Sequence, residues 1–381
     1  MAKRPIFQEM PSEALPSPQP AGGMIDARPK GARGAIRIWL VALFVLVAAM
    51  IALGGATRLT GSGLSITEWK PVTGALPPSG QAAWEAEFAK YQAIPQFQVD
   101  NPTMDLAGFK RIYWWEWAHR QLGRAVGLVW GLGFLFFWVS GRMPAGWAPR
   151  LLVLGGLGGL QGAVGWWMVS SGLVEGMTAV ASYRLAVHLG LAFAILGLIA
   201  WQVLQLSRPE AQLLRARRAG ESKLFSMTTG LMHLAFIQIL LGALVAGIDA
   251  GRQYTGWPRM GGEWIPAAIW DAGLGWRNLF ENAATVQFTH RMVGYLLAVF
   301  AVVVWRRSRR SPHPVTRGAF TAMIAAVGLQ IALGIVTVIH GAPLGEALAH
   351  QFGAVALFVL ILRARHHARY PFETSVRGTI R

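Results

Sequence analysis

The chain has 381 residues, of which 54% are hydrophobic and only 14% charged. That balance is too apolar for a soluble protein, and runs of about 20 apolar residues, the length that spans a bilayer core as a helix, mark an integral membrane protein. Cysteine is absent, which excludes disulfides, thiolate metal ligands and CxxC redox pairs, so any metal must be held by His or carboxylates.

Residues 1–35 are rich in Pro, Gly and charge without periodicity, and read as a disordered cytoplasmic tail. The first apolar run is long and is followed by no small-residue cleavage site, which predicts an uncleaved span rather than a signal peptide. Eight helices are expected at 36–56, 118–139, 150–170, 184–206, 226–247, 287–305, 318–339 and 348–364. The fold class is therefore all-α and membrane-embedded. An N-terminal four-helix half (36–206) is joined by a cytoplasmic linker (207–225) to a C-terminal four-helix half (226–364), and 365–381 form a cytoplasmic tail.

Charge fixes the expected topology. The tail to Arg37, the 140–150 turn, the 207–223 loop, the 306–317 loop and the segment after Leu362 hold 23 of the 35 Lys and Arg but 6 of the 18 Asp and Glu. The whole net charge of +17 thus lies on one side, which the positive-inside rule assigns to the cytoplasm. The surplus is topological and calls for no nucleic acid. Both termini are expected in the cytoplasm of a multi-pass inner-membrane protein. Two long outer loops follow, near 57–117 and 248–286. The first carries Trp69, Trp84, Phe88, Tyr91, Phe97 and Phe109; the second carries Tyr254, Trp257, Trp264, Trp270, Trp276 and Phe280. Such aromatics suit the membrane interface, or a lid over a flat ligand.

The eight helices fall into two sets of four. Gln287-x-x-His290-Arg291-x-x-Gly294 answers Glu116-x-x-His119-Arg120-x-x-Gly123; Gly328-Leu329-Gln330 through Gly334 answers Gly159-Leu160-Gln161 through Gly165; and the segment around His350 answers that around His188. Helices one and five match more weakly, through Leu53-Gly54-Gly55-Ala56 and Leu241-Gly242-Ala243. Both sets run in-out-in-out, so the two bundles should be related by a pseudo-two-fold axis along the membrane normal. The small-residue runs Gly155-Gly156-x-Gly158-Gly159 and Gly328 to Gly334 are read as close helix packing.

Four histidines recur at duplicated positions near the outer helix ends: His119, His188, His290 and His350. Two His from facing helices can supply both axial ligands to one haem iron, and two halves give two such sites. Zinc is the rival, since His and Glu also bind it, but a zinc site gathers three or four ligands at one point. Arg58, Arg120, Arg124 and Arg291 stand near these positions, and guanidinium forks suit haem propionates; contacts to lipid headgroups or loops are the alternative. His233 is read as a packing residue, His340 as a loop contact, and His313, His366 and His367 as solvated. The halves differ three residues before the first His, where Glu116 faces Gln287. Only Glu can ionise and act as a base, which nominates the His119/His188 site as the reacting one; the alternative is a carboxylate at a helix N-terminus, favoured by the dipole.

These residues resemble the haem A synthase family (the Cox15/CtaA group). The resemblance covers about 36–364 and rests on Gly54-Gly55-Ala56-Thr57-Arg58-Leu59-Thr60-x-Ser62-Gly63-Leu64-Ser65, Glu116-x-x-His119-Arg120, Gln161-Gly162-x-x-Gly165-Trp166-Trp167-Met168-Val169-x-Ser171-Gly172-Leu173, His188, His290-Arg291 and His350. It implies oxidation of the C8 methyl group of haem O to a formyl group, through an alcohol and a geminal diol, giving haem A for terminal oxidases. It further implies a haem b cofactor on His290 and His350, substrate-haem ligation by His119 and His188, and Glu116 as catalytic acid–base. The absence of cysteine places the chain with the cysteine-less proteobacterial and mitochondrial-like branch, where a thiol relay cannot operate. The implied partners are the haem O-producing farnesyltransferase, an unidentified electron acceptor and further copies of the chain. A di-haem electron-transfer subunit is the alternative from another class.

Overall fold

The computed structural model describes residues 32–372; residues 1–31, most of the expected N-terminal tail, and 373–381 lie outside the described part. Eight helices are long and apolar enough to cross a membrane: α1 (Arg33–Leu59), α2 (Leu106–Val139), α3 (Ala148–Ser170), α4 (Ser182–Leu206), α5 (Ser222–Gly247), α6 (Ala283–Ser308), α7 (Pro314–Ile339) and α8 (Leu344–Arg369). In lipid every backbone polar group must be bonded within its own segment, so apolar runs of this length become helices. Local chemistry sets several ends. Asp105 accepts from Gly108 N at 2.7 Å at the start of α2, and Asn282 accepts from Ala284 N at 2.9 Å and Thr285 N at 3.2 Å at the start of α6. Both are side-chain caps on otherwise orphaned N–H groups.

All eight expected spans are present, and several extend beyond their apolar core. The largest difference is α2, which begins at Leu106 rather than 118. The Tyr113–Arg120 stretch is thus well inside a helix, and the helix-dipole explanation for Glu116 falls, since that field fades within the first turn. At the other end α8 runs on to Arg369.

Between 28% and 44% of the most apolar window is buried in α1, α4, α5 and α8, against 6–17% in α2, α3, α6 and α7. The former four therefore make the centre and the latter four flank it. Leu40, Phe193, Leu196, Leu231 and Phe358 join in one apolar core, with Phe193 and Phe358 edge to face at 5.9 Å. The first and last spans are tied by Gln351 Nε2, which donates to Ile51 O at 2.6 Å.

The first outer loop is a folded cap, with helices at Gln81–Gln92 and Pro95–Asp100. Most of its aromatics pack inward rather than forming an interface belt, while Trp69 is exposed. Trp84, Tyr91, Phe109 and Tyr113 are buried together with Leu64 and Val169, forming a small core of their own. The second loop does expose Trp257, Trp264, Trp270 and Trp276, as an interfacial position requires. On the opposite side His366 and His367 are buried against Trp201, Tyr370 and Phe372, which corrects the solvated reading. The extra turns of α8 carry them back into the bundle. His233 is exposed on α5 and so is not a packing residue.

Candidate haem-ligand site

The four repeated histidines share one local architecture. Each ring lies against a glycine of the preceding span. A Cβ on Gly54, Gly165 or Gly334 would stand 2.9 Å from Cε1 of His119, His188 or His350, and one on Gly242 would stand 3.1 Å from Cε1 of His290. Each glycine is five residues before its helix end, at Leu59, Ser170, Gly247 and Ile339. The four seats are thus at matching places in the repeat. Only a residue without Cβ lets a ring approach so closely. Odd-numbered spans supply the seats and even-numbered spans supply the rings.

Three rings have a second brace, one helical turn before the glycine and on its face. Gln161 Nε2 donates to His188 O at 3.1 Å and lies 3.2 Å from His188 Nδ1. Gln238 Nε2 stands at 2.9 and 3.1 Å from His290 O and Nδ1, and Gln330 Nε2 at 2.8 and 3.1 Å from His350 O and Nδ1. The corresponding residue in α1 is Met50, and His119 Nδ1 is buried without a partner. All four histidines are half-buried. Among the described residues no three His, Asp or Glu side chains gather as metal ligands, so the donor set suits an iron held by two axial imidazoles and not a zinc site of three or four ligands.

Sequence reasoning aligned Gln161 with Gln330 and Gly165 with Gly334 but read the glycines as helix packing. That reading fits Gly155, which receives the Trp130 ring, whereas Gly156, Gly158, Gly159, Gly162 and Gly328 have no neighbour within 4 Å. Gln238, Gly54 and Gly242 were missed as ring contacts, as was the departure at Met50. The i, i+4 Gln–Gly spacing was the available signal.

Glu116 is 3% exposed, and its partners are Arg120 and the first outer loop. Oε1 accepts from Arg120 Nη2 at 2.7 Å and Nε at 3.1 Å; Oε2 accepts from Ser65 Oγ and Ile66 N, both at 2.8 Å. Arg120 also donates to Ile66 O at 2.7 Å and Glu68 O at 2.9 Å. The segment Ser65–Glu68 thereby folds onto α2. The other half repeats the arrangement without the charge: Gln287 Nε2 and Arg291 Nη2 both donate to Tyr254 O, at 3.0 and 3.2 Å. Arg124 likewise holds the first loop, donating to Pro71 O at 2.8 Å and Lys70 O at 2.9 Å. Arg58 pairs with Asp249 at 2.7 Å. The four arginines thus have partners within the chain; Arg58 keeps a buried Nε with none. Another arginine, Arg184, which sequence reasoning did not single out, also has a buried unpartnered Nε. It stands one turn before His188 with its guanidinium 4.6 Å from the Trp167 ring. His340 bonds Glu346 at 2.8 Å, the local contact expected of it.

The profile of the COX15-CtaA family, described as cytochrome oxidase assembly protein, matches residues 37–362. Three relatives, each called Heme A synthase, align along essentially the whole chain. The protein of Paracoccus denitrificans is 76% identical over 381 residues, covering 100% of both chains. That of Roseobacter denitrificans is 59% identical over 380 residues, 99% of this chain and 100% of its own, and that of Cereibacter sphaeroides 55% identical over 388 residues, 99% of each. With the profile spanning all eight apolar helices and the duplicated His seats, the chain belongs to the COX15-CtaA family of cytochrome oxidase assembly proteins.

Proposed function

We propose that the chain is a haem A synthase, an oxidoreductase that converts the C8 methyl group of haem O into a formyl group. The observation that carries this reading is the duplicated set of glycine-seated histidines, with a carboxylate, Glu116, three residues before His119 where the other half has Gln287 before His290. Full-length identity to proteins called Heme A synthase supports it. In this reading His290 and His350 hold a resident haem b, and His119 and His188 hold the substrate haem. When bound, haem b supplies one-electron redox chemistry. Arg58, Arg120, Arg124, Arg184 and Arg291 are the available propionate partners, with Arg58 and Arg184 favoured by their unpartnered Nε atoms.

Glu116 is the proposed acid–base. Its Oε1 is committed to the Arg120 guanidinium, so a proton is taken at Oε2, where the bonds come from a neutral hydroxyl and a neutral amide. Ser65 Oγ can turn away as the proton arrives, while Arg120 keeps the group in place. Gln287 offers no such function. Removal of four electrons from the methyl carbon requires an external acceptor, and delivery of a hydrophobic substrate suits association with the farnesyltransferase that makes haem O. The charge distribution supports a reading with both termini in the cytoplasm and the histidines toward the outer face of the inner membrane.

The test is pigment extraction from cells expressing the chain with or without Glu116→Gln. The wild type should yield formylated haem, and the variant should yield little while keeping its bound haem. Near wild-type haem A from the variant would remove Glu116 from the mechanism; a wild type that makes none would leave only an electron carrier.

A further inference from the structure

The seat of His119 differs from the other three in one residue. Met50 stands four residues before Gly54, as Gln161, Gln238 and Gln330 stand before Gly165, Gly242 and Gly334. It also fills the same space. Its Cε is 3.2 Å from where a Cβ on Gly123 would be, and Gln238 Nε2 is 3.1 Å from where a Cβ on Gly294 would be; Gly123 and Gly294 each follow their histidine by four residues. We propose that Met50 makes His119 the releasable ligand of the substrate site, the one through which haem is taken up and given away. This rests on the reading of the four histidines as haem ligands.

Each glutamine amide touches both the ring and the backbone carbonyl of its histidine. That double contact ties the imidazole to its own helix and restricts its rotation. With the metal on Nε2 the Nδ1–H must donate, so the amide braces the ring through Oε1, which is buried and unpartnered in Gln161, Gln238 and Gln330 and reaches Nδ1 when the amide turns; losing such a partner weakens metal binding by about 10–100-fold. A thioether donates no hydrogen bond and accepts only weakly. His119 is left with its glycine seat and an unpartnered buried Nδ1. The result is a division of labour between halves. His290 and His350 are both braced, as a resident cofactor requires. His188 is braced and His119 is not, so the substrate haem is anchored on one face and released on the other.

The experiment follows haem loss from the purified full-length protein, loaded with protohaem in detergent, to an excess of haem-free myoglobin. Electron paramagnetic resonance of the two low-spin ferric signals reports the ligands directly. The wild type should lose haem in a fast phase from the His119/His188 site and a slow phase from the other. M50Q should slow the fast phase about tenfold and shift the g values of that signal alone, and M50L, which restores no donor, should behave as wild type. Q238M should speed the slow phase by a similar factor, which tests the brace independently of how well M50Q folds. An unchanged fast phase and unchanged g values in folded M50Q, with the signal abolished in H119A, would overturn the proposal while leaving the ligand reading intact. A signal that survives H119A would overturn the ligand reading and the proposal with it.

Discussion

Gly334→Ala tests the seat with one methyl group. The added Cβ would lie 2.9 Å from His350 Cε1, 3.5 Å from Nδ1 and 3.6 Å from Nε2. Carbon atoms rest at about 3.5–4.0 Å, so the ring must withdraw by about 0.6–1.1 Å. Overpacking of this kind costs about 1–3 kcal/mol, whereas alanine in place of a helical glycine contributes about 0.5–1 kcal/mol in the stabilising direction. The helix should therefore persist while the ring shifts beyond the roughly 0.5 Å within which a binding group must be held. Gly328→Ala, in the same helix and with nothing within 4 Å, provides the matched control. Haem content by pyridine haemochrome, with thermal unfolding in detergent alongside, should show Gly334→Ala depleted of haem from the His290/His350 site and Gly328→Ala fully loaded and no less stable. A Gly334→Ala protein with a full haem complement and an unchanged visible spectrum would refute the seat.

Replacing His290 or His350 with Ala should strip the resident haem on purification, read from the visible spectrum. Arg120→Ala leaves Glu116 buried without its charge partner, which costs up to about 3–5 kcal/mol in a dry site and less here because Arg120 is partly exposed. Arg291→Ala strands no charge and should cost about 1 kcal/mol for its lost bond; hydrogen exchange over 62–105 and 250–280 compares the two. Arg58→Ala removes a partly buried pair, worth about 1 kcal/mol since Asp249 is open to solvent; a loss of haem retention in Arg58→Ala but not in Asp249→Asn would identify Arg58 as a propionate partner. Glu68, outside the spans, is held below the usual carboxylate value of 4.5 by bonds from Lys70 and Lys90. Its contribution is present above that value and fades as pH falls through the lowered one. Being exposed, it contributes less than about 1 kcal/mol. Pepsin cleavage of the 62–105 cap should increase from pH 5 to pH 3 in the wild type, and Glu68→Gln should flatten that change.

The eight spans were legible because lipid makes them a local matter: an apolar run of sufficient length has no structure to adopt but a helix. The repeat of His119, His188, His290 and His350 was legible because duplication preserves spacing. The outer extension of α2 was not, since polar and aromatic residues at 106–117 carry no apolar run. Nor was the aromatic core of the cap, because Trp84 and Tyr91 are buried by Phe109, Tyr113 and Leu64 from other segments. His366 and His367 looked solvated among arginines until Trp201, far away in the chain, was seen to cover His366.

By itself the sequence determined the membrane class, the eight spans, the gathering of positive charge in alternate connections and the Glu116/Gln287 difference. These follow from composition and spacing along one chain. Only the tertiary structure decided which groups meet. It set each imidazole on a glycine of the preceding span, put Glu116 between Arg120 and Ser65, and left His119 Nδ1 without a partner where its three counterparts face glutamine. Those pairings depend on helix rotation and on close approach between helices dozens of residues apart, and no local pattern encodes them.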